Sequence, residues 1–409
     1  MAKDNSTFFK NKNNWSVIKD RLLSGYLPQY FQKVLMTRRP IYYIDCFAGK
    51  GKFDDGSPGS PQIALQIRDK CLGLTTFQNA KIDTCFIDLN YAEDLKTNIA
   101  GYSNINGYPK VISGRYEDEI EHLIKDKKGT NIFLYIDPYG IKALDSMLFD
   151  RFASYGFYSI EILINMNSFG FFRDACRVKR VEYQHDEALL NLDEIVEYEP
   201  TQVDASCQSE ALLNRIAGGD YWHAIVKDYQ IGAINGYEAE KRFSTEYKRR
   251  LRQNYKYVLD MPIRMKSGQR PKYRMIHVSN HEHGCVLMAD NMASRSDELF
   301  IDIQQCGQLS LFDQNIENEI ISKPEIREKM TAFLMNFSNG LTVDKLLASF
   351  YTEHGVLCKS GVIKSIWKDM EDSGEIQVTR EPKLTEGNHP SRTFTESKKQ
   401  RVTIRSKLL

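Results

Sequence analysis

IYYIDCFAGKGKF, residues 41–53, decides the reading of the chain: a short apolar and aromatic run ends in Asp45 and passes directly into a glycine-rich turn. Three further stretches repeat the form. IDTCFID ends at Asp88, NIFLYID at Asp137 and YSIEILIN at Asn165, each closing an apolar run with a polar residue. Between them SPQIALQIRDKCLG (60–73) and ALDSMLFDRFASYG (143–156) have the length of helices. Strand, helix, strand, helix predicts an α/β domain with a Rossmann-like parallel sheet covered by helices on both faces. Ligands of such sheets gather outside the carboxyl ends of the strands, where these polar residues fall.

Working outward, 409 residues predict two domains, one large and one small. A composition of 42% hydrophobic and 27% charged residues is that of a globular protein and excludes disordered, collagenous and disulfide-scaffold classes. No apolar run is long enough to cross a bilayer, and MAKDNSTFFKNKNNW at the start has no secretion-type core, so a cytoplasmic location with no membrane is expected. The eight cysteines stand singly with no C-x-x-C pair and read as reduced, small buried hydrophobes.

Charge is segregated along the chain although the net charge is only +1. Residues 181–210 carry many carboxylates and no Lys or Arg, which predicts a solvated helical, acidic insert around 175–240. Residues 241–274 are strongly basic, and within them YVLDMPIRM and YRMIHVSN flank KSGQRPK as two strands and a connection. The domains are therefore expected at 1–300 and 323–409, with a polar linker at 301–322. In the second, KPEIREKMTAFLMNF, VDKLLASFYTEHG and KSGVIKSIWKDMEDSG are helix-like, and GEIQVTREP with SRTFTES is a hairpin, the order of a winged-helix-like domain.

The turn Asp45-Cys46-Phe47-Ala48-Gly49-Lys50-Gly51 lets backbone approach a ligand. It lacks both the G-x-G-x-x-G dinucleotide pattern and the Gly-Lys-Ser/Thr of a phosphate loop. It resembles the first motif of class I S-adenosylmethionine-dependent methyltransferases, which implies that Asp45, Phe47, Ala48, Gly49 and Gly51 run beside that cofactor. The same glycines also suit a plain strand-to-helix turn. Asp88 is placed to accept ribose hydroxyls, or to cap the following helix. Arg115 follows the third strand and is placed either near an adenine or against the acidic run after it. Asp137-Pro138-Tyr139-Gly140 is similar to the D/N/S-P-P-Y/F/W loop of amino-group methyltransferases, which implies a catalytic role for Asp137, Pro138 and Tyr139, the ring stacking on a flipped base. One proline is missing, and these residues also form ordinary turns.

Taken together, Trp15 and Lys19, YIDCFAGKG, GSPGSP (56–61), FID at Asp88, YIDPYG at Asp137, NMNSFGFFRD and YRMIHVSNHEHGCVLM resemble, in collinear order from Trp15 to about Met292, the bacterial three-Cys-motif partner proteins. The resemblance implies a methyltransferase-like fold and a radical-SAM-like partner that carries the three cysteines. It also implies a setting in nucleic-acid modification, repair or phage defence.

His277, His281, His283 and Cys285 fit no standard zinc spacing and read as strand-end packing, with no metal. Asn165, Asn167, Ser168 and Phe169 bound either a substrate pocket or a buried turn. The basic stretch interleaved with Phe243, Tyr247, Tyr255 and Tyr257, and the basic tail from Arg380 to Lys407, point to nucleic acid. The expected function is an S-adenosylmethionine-binding protein acting on or holding nucleic acid. A non-catalytic adaptor for the partner, and a nuclease with Asp45, Asp88 and Asp137 as magnesium ligands, are the alternatives.

Overall fold

The computed structural model describes residues 14–102, 109–138, 140–183, 205–263, 273–305, 321–384, 388–397 and 399–407. The chain divides into two compact units, Met1–Asn280 and His281–Leu409. The boundary expected at residue 300 falls inside a helix of the second unit, so the sheet domain ends with its last strand.

The first unit begins with α1 (Asn14–Leu35), β1 (Ile41–Asp45), α2 (Ser60–Leu74), β2 (Asp83–Asp88), α3 (Ala92–Ile99), β3 (Lys110–Ser113), α4 (Tyr116–Ile124) and β4 (Asn131–Ile136). It continues with α5 (Ser146–Ala153), β5 (Ser159–Met166), α6 (Ser168–Lys179), α7 (Ala205–Ala217), α8 (Trp222–Gln230), α9 (Gly236–Leu251), β6 (Tyr257–Ile263) and β7 (Tyr273–Ser279). Seven strands form one sheet in the order β3-β2-β1-β4-β5-β7-β6, with β7 antiparallel to both neighbours and the rest parallel. This is a Rossmann-like arrangement, a mostly parallel sheet covered by helices. Its order reverses between β1 and β4, the switch point at which open α/β sheets place their ligands.

β1, β4 and most of β2 and β5 are buried on both faces, which is why they read as continuous apolar runs rather than alternating ones. Under α1 the core is aromatic: Tyr43 stacks on Phe133 at 5.7 Å, and Tyr30 meets the same ring at 5.0 Å. On the other face Ile44, Leu134 and Ile162 belong to one cluster with Phe171, Trp222 and Phe243. Phe171 and Phe243 stack at 3.9 Å. Helices α7–α9 therefore cover the sheet. The acidic residues that made this region read as a solvated insert lie mostly in 184–204, outside the described residues.

The second unit contains α10 (Glu282–Gln305), α11 (Lys323–Leu334), β8 (Leu341–Thr342), α12 (Val343–His354), α13 (Ser360–Asp372), β9 (Ile376–Glu381) and β10 (Arg401–Ser406). Ser322 and Glu325 close a capping box ahead of α11, the signature S-x-x-E made structural. The strands pair antiparallel in the order β8-β10-β9. The partner of β9 is QRVTIRS and not SRTFTES as expected: Val402, Ile404 and Ser406 alternate inward with Arg401 and Arg405 outward, and 391–396 forms no strand. Among the described residues no helix is long and apolar enough to cross a membrane.

Candidate functional site

Register brings three of the candidate acids to one face. Asp45 lies beside Phe86 of β2 and Tyr135 of β4, so Asp88 and Asp137, two residues further along those strands, point the same way. Asp45 is wholly buried; its carboxylate accepts from Ser60 Oγ at 2.7 Å and from the Phe47 N–H at 3.2 Å. Burial, with the charges of Asp137 and Asp88 as lesser causes, pushes the Asp45 carboxyl up to about 7 against the lowering effect of those two hydrogen bonds.

Asp88 holds the glycine turn. Its Oδ2 accepts from the Gly49 N–H at 2.8 Å, and its Oδ1 accepts from the N–H groups of Asn90 and Tyr91 at 2.8 and 2.7 Å. Asp88 thus holds the turn ahead of α3 and does not cap the helix, whose N-cap is Tyr91; three donors on a carboxylate with about four acceptor positions leave one for a ligand hydroxyl. Gly49 and Gly51 adopt φ of 58° and 75°. A Cβ on Gly51 would stand 2.6 Å from Leu95 Cδ1, so that glycine serves conformation and packing against α3. The Ala48 N–H bonds to Ile87 O at 3.0 Å, and Phe47 packs on Tyr116 at 5.4 Å.

Asp137 is gripped from α1. Lys19 Nζ donates to both of its oxygens, at 2.8 and 2.7 Å; Asn165 Nδ2 donates to Oδ1 at 2.7 Å and Tyr135 OH to Oδ2 at 3.3 Å. Because Asp137 offers only acceptors, the amide of Asn165 must turn its NH2 that way, which leaves its buried Oδ1 with no donor among the described residues. A buried orphan acceptor is costly and marks a place where a donor belongs. Pro138 is half-buried next to this group, and Tyr139 lies outside the described residues.

No family model matches the chain, and no curated protein matches it. Among solved structures it is similar to the plantazolicin methyltransferase BamL in complex with a triazolic desmethylPZN analog and SAH: 15% identity, a TM-score of 0.30, and coverage of 66% of this chain and 87% of that one. That likeness transfers no residue roles, and the site rests on its own geometry.

Arg115 stands apart. It is exposed at the N-terminus of α4, its carbonyl accepting the Asp118 and Glu119 N–H groups at 3.1 Å, and its guanidinium pairs with none of the described carboxylates. Asn167 caps α6 through Gly170 N at 2.7 Å, Ser168 turns to Glu240, and Phe169 is packed in the core, so of that group only Asn165 joins the site.

The magnesium reading of the three aspartates fails on chemistry. Most of their acceptor positions face N–H, O–H and ammonium donors, and among the described residues no three His, Cys, Asp or Glu side chains could hold a metal ion. His277 is buried in β7 against Glu161 at 3.0 Å, while in the second unit His283 pairs with Asp344 at 2.7 Å and Cys285 Sγ bonds Ala348 O.

The basic stretch does not form the expected stacking surface. Phe243, Tyr247, Tyr255 and Tyr257 are buried, at most 2% exposed. Arg274 holds Glu240 and Asp260, Lys248 holds Asp260, Arg250 holds Asp150, Arg242 holds Asp228 and Arg249 holds Glu246. Charges separated in sequence are neighbours in space. Arg264, Lys266, Arg270 and Lys272 lie outside the described residues.

Lys19, the partner of Asp137, is the side chain that the strand-end reading leaves aside. Its signal is a lysine in the stripe Leu22, Tyr26 and Tyr30, the buried face of α1.

Proposed function

We propose that the first unit binds S-adenosylmethionine at the carboxyl ends of β1, β2 and β4, and that the chain is a methyltransferase-like protein that acts on or holds nucleic acid beside a radical-SAM-like three-cysteine partner. The observation that carries this reading is the convergence of Asp45, Asp88 and Asp137 around the glycine turn at the sheet's switch point, with the orphan Asn165 oxygen among them. The donor set fits the group: Asp88 retains an acceptor position for a ribose hydroxyl, and Asp137 with Asn165 offers acceptors to an amine. The cofactor supplies a methyl group on a sulfonium, ready for in-line displacement. The chain's own residues orient and desolvate, which is where most of the acceleration of such a reaction lies.

The test is isothermal titration of the full chain with S-adenosylmethionine and S-adenosylhomocysteine. Binding is expected, with Asp88→Ala weakening it by about tenfold or more, thermal unfolding showing that the variant is folded. A folded sample giving no heat with either ligand ends the proposal.

One observation favours a non-catalytic adaptor as second reading. Lys19 and Asn165 already donate to the oxygens of Asp137, which leaves that carboxylate fewer acceptor positions for a substrate. Capture of the three-cysteine neighbour on co-expression, with methyl transfer absent from the chain alone and from the complex, favours that reading.

In the second unit, three helices and the β8-β10-β9 sheet support a winged-helix-like reading, with β9, β10 and their connection as the wing.

A further inference from the structure

Resting on the winged-helix and nucleic-acid reading, we infer that the wing, and not α13, is the surface that meets the nucleic acid, gripping the phosphate backbone of a duplex without reading its bases. In a helix-turn-helix the N-terminal residues of the recognition helix enter the major groove. Here that end of α13 is occupied from within the unit. Asp290 of α10 accepts from the Ser360 N–H at 2.6 Å and from Ser360 Oγ at 2.7 Å, and Asp297 of the same helix pairs with Lys359 at 3.1 Å. A carboxylate on the positive end of a helix removes its attraction for phosphate and adds repulsion. The far end of α13 carries Asp369, Glu371 and Asp372, the first paired with Lys323 and the second with Arg380.

The wing has the opposite character. From Lys383 to the end of the chain there are seven Lys and Arg against two Glu, so this segment is attractive to polyanions as a whole. Lys383, Arg392, Arg401, Arg405 and Lys407 are exposed, and among the described residues none of them has a carboxylate within ion-pair distance. Arg401 and Arg405 stand on the outward face of β10, opposite Glu381 and Gln377, and Arg405 Nε bonds Gln377 Oε1 at 2.6 Å. Glu381 is the one acid on that face of the ladder. The connection folds back on the ladder's end: the Ser391 N–H bonds Lys383 O at 3.0 Å, Gln400 Nε2 reaches Pro382 O at 3.4 Å, and Thr393 Oγ1 donates to Gln400 Oε1 at 3.1 Å. Those bonds bring Lys383 and Arg392 to the same end as Arg401. The outward ladder face, Arg401, Thr403 and Arg405 against Gln377, Thr379 and Glu381, presents no aromatic ring for base stacking and no apolar wedge. Contact with phosphates is what this face offers, with Leu384 of the connection the exposed apolar side chain beside it, and phosphate contacts are sequence-independent and salt-sensitive.

The test is fluorescence anisotropy of the full chain with a labelled 20-base-pair duplex DNA across a salt series. Arg401→Gln with Arg405→Gln is expected to weaken binding by about tenfold or more near 0.1 M salt and to lower the slope of log K against log salt by about 2. Lys364→Gln with Lys368→Gln in α13 is expected to change affinity less than about twofold. Equal unfolding midpoints show that the variants are folded, as their exposure implies. A larger loss from the α13 pair than from the wing pair, or discrimination between duplexes of different sequence that the α13 pair abolishes, overturns the inference while leaving the nucleic-acid reading in place. A wild-type chain that does not bind the duplex at 0.05 M salt removes both, and the cofactor titration is indifferent to that result.

Discussion

The sheet unit holds two buried polar clusters that differ in how their charges balance. Where β7 crosses antiparallel, Glu240 and Asp260 meet Arg274 and Lys248, acid for base, and Glu240 also accepts from Ser168 and Ser244. At the ends of the parallel strands stand Asp45, Asp88 and Asp137, of which Asp137 pairs with the Lys19 ammonium, and among the described residues an acceptor oxygen of Asn165 has no donor. The pKa directions follow the balance. Burial pushes Glu240 and Asp260 up, but the hydrogen bonds and charges of Arg274, with Lys248 beside Asp260, bring both below the usual carboxylate range. Asp45 goes the other way, up to about 7. A satisfied cluster stabilises a fold, and the unbalanced one is where we propose that a ligand binds.

The comparison breaks most visibly at Arg274. Arg274→Met leaves Glu240 without its bidentate partner and Asp260 with Lys248 alone, both buried, and is expected to destabilise the unit by about 3–5 kcal/mol in urea unfolding. The loss belongs to neutral pH. Because the folded pKa values are depressed, the stabilisation from these acids is present above their ordinary values of 4.5 and 3.8 and fades as pH falls below them. A cost under about 1 kcal/mol makes the network a bystander.

Asp45 reverses the sign. Its folded pKa of about 7 lies above the ordinary 3.8, so the folded chain holds a proton that the unfolded chain has lost. Stability from this group is therefore full below pH 4 and is lost as pH rises to about 7, at up to ~1.4 kcal/mol per pH unit. Asp45→Asn removes that dependence. The difference in unfolding free energy between wild type and variant is expected to swing by about 2–4 kcal/mol across the window, in favour of the variant at the alkaline end. A flat difference means that the carboxylate is solvated, and the strand-end cluster then loses its distinction from the balanced one.

Much of this was legible in the sequence for one reason: apolar runs ending in acids are strands buried on both faces whose polar ends mark the ligand side. Asp45, Asp88 and Asp137 follow from local pattern and parallel register alone. Lys19 does not, because its partner lies 118 residues away and only the packing of α1 brings them together. The basic stretch misled for the complementary reason. Linear segregation of charge says nothing about neighbours once α9, β6 and β7 fold against Asp150, Asp228 and Glu240. The aromatic interleaving that resembled a stacking surface is the ordinary core stripe of α9, with Phe243 and Tyr247 four residues apart. SRTFTES lies nearer to β9 in sequence, but of the two segments QRVTIRS has the inward alternation that a strand packed on helices needs.

The smallest effect sharpens the comparison further, at the cation that pairs with Asp137. Lys19→Met removes two short hydrogen bonds from Asp137, but that side chain is 21% exposed and keeps Asn165 and Tyr135, so the expected cost is about 1–2 kcal/mol. The informative readout is elsewhere. With the ammonium gone, the negative charge of Asp137 acts on Asp45 unopposed, and the Asp45 carboxyl moves upward from about 7. Repeating the pH series with Lys19→Met against Lys19→Met/Asp45→Asn isolates that movement, since both chains lack the lysine and differ only in the titrating group. An upward shift of the swing establishes that Asp45 and Asp137 lie in one field and that α1 is part of the site. A swing that stays in place separates them into two independent features, and the chain then has a glycine turn and an ion pair where the charge imbalance points to one ligand cradle.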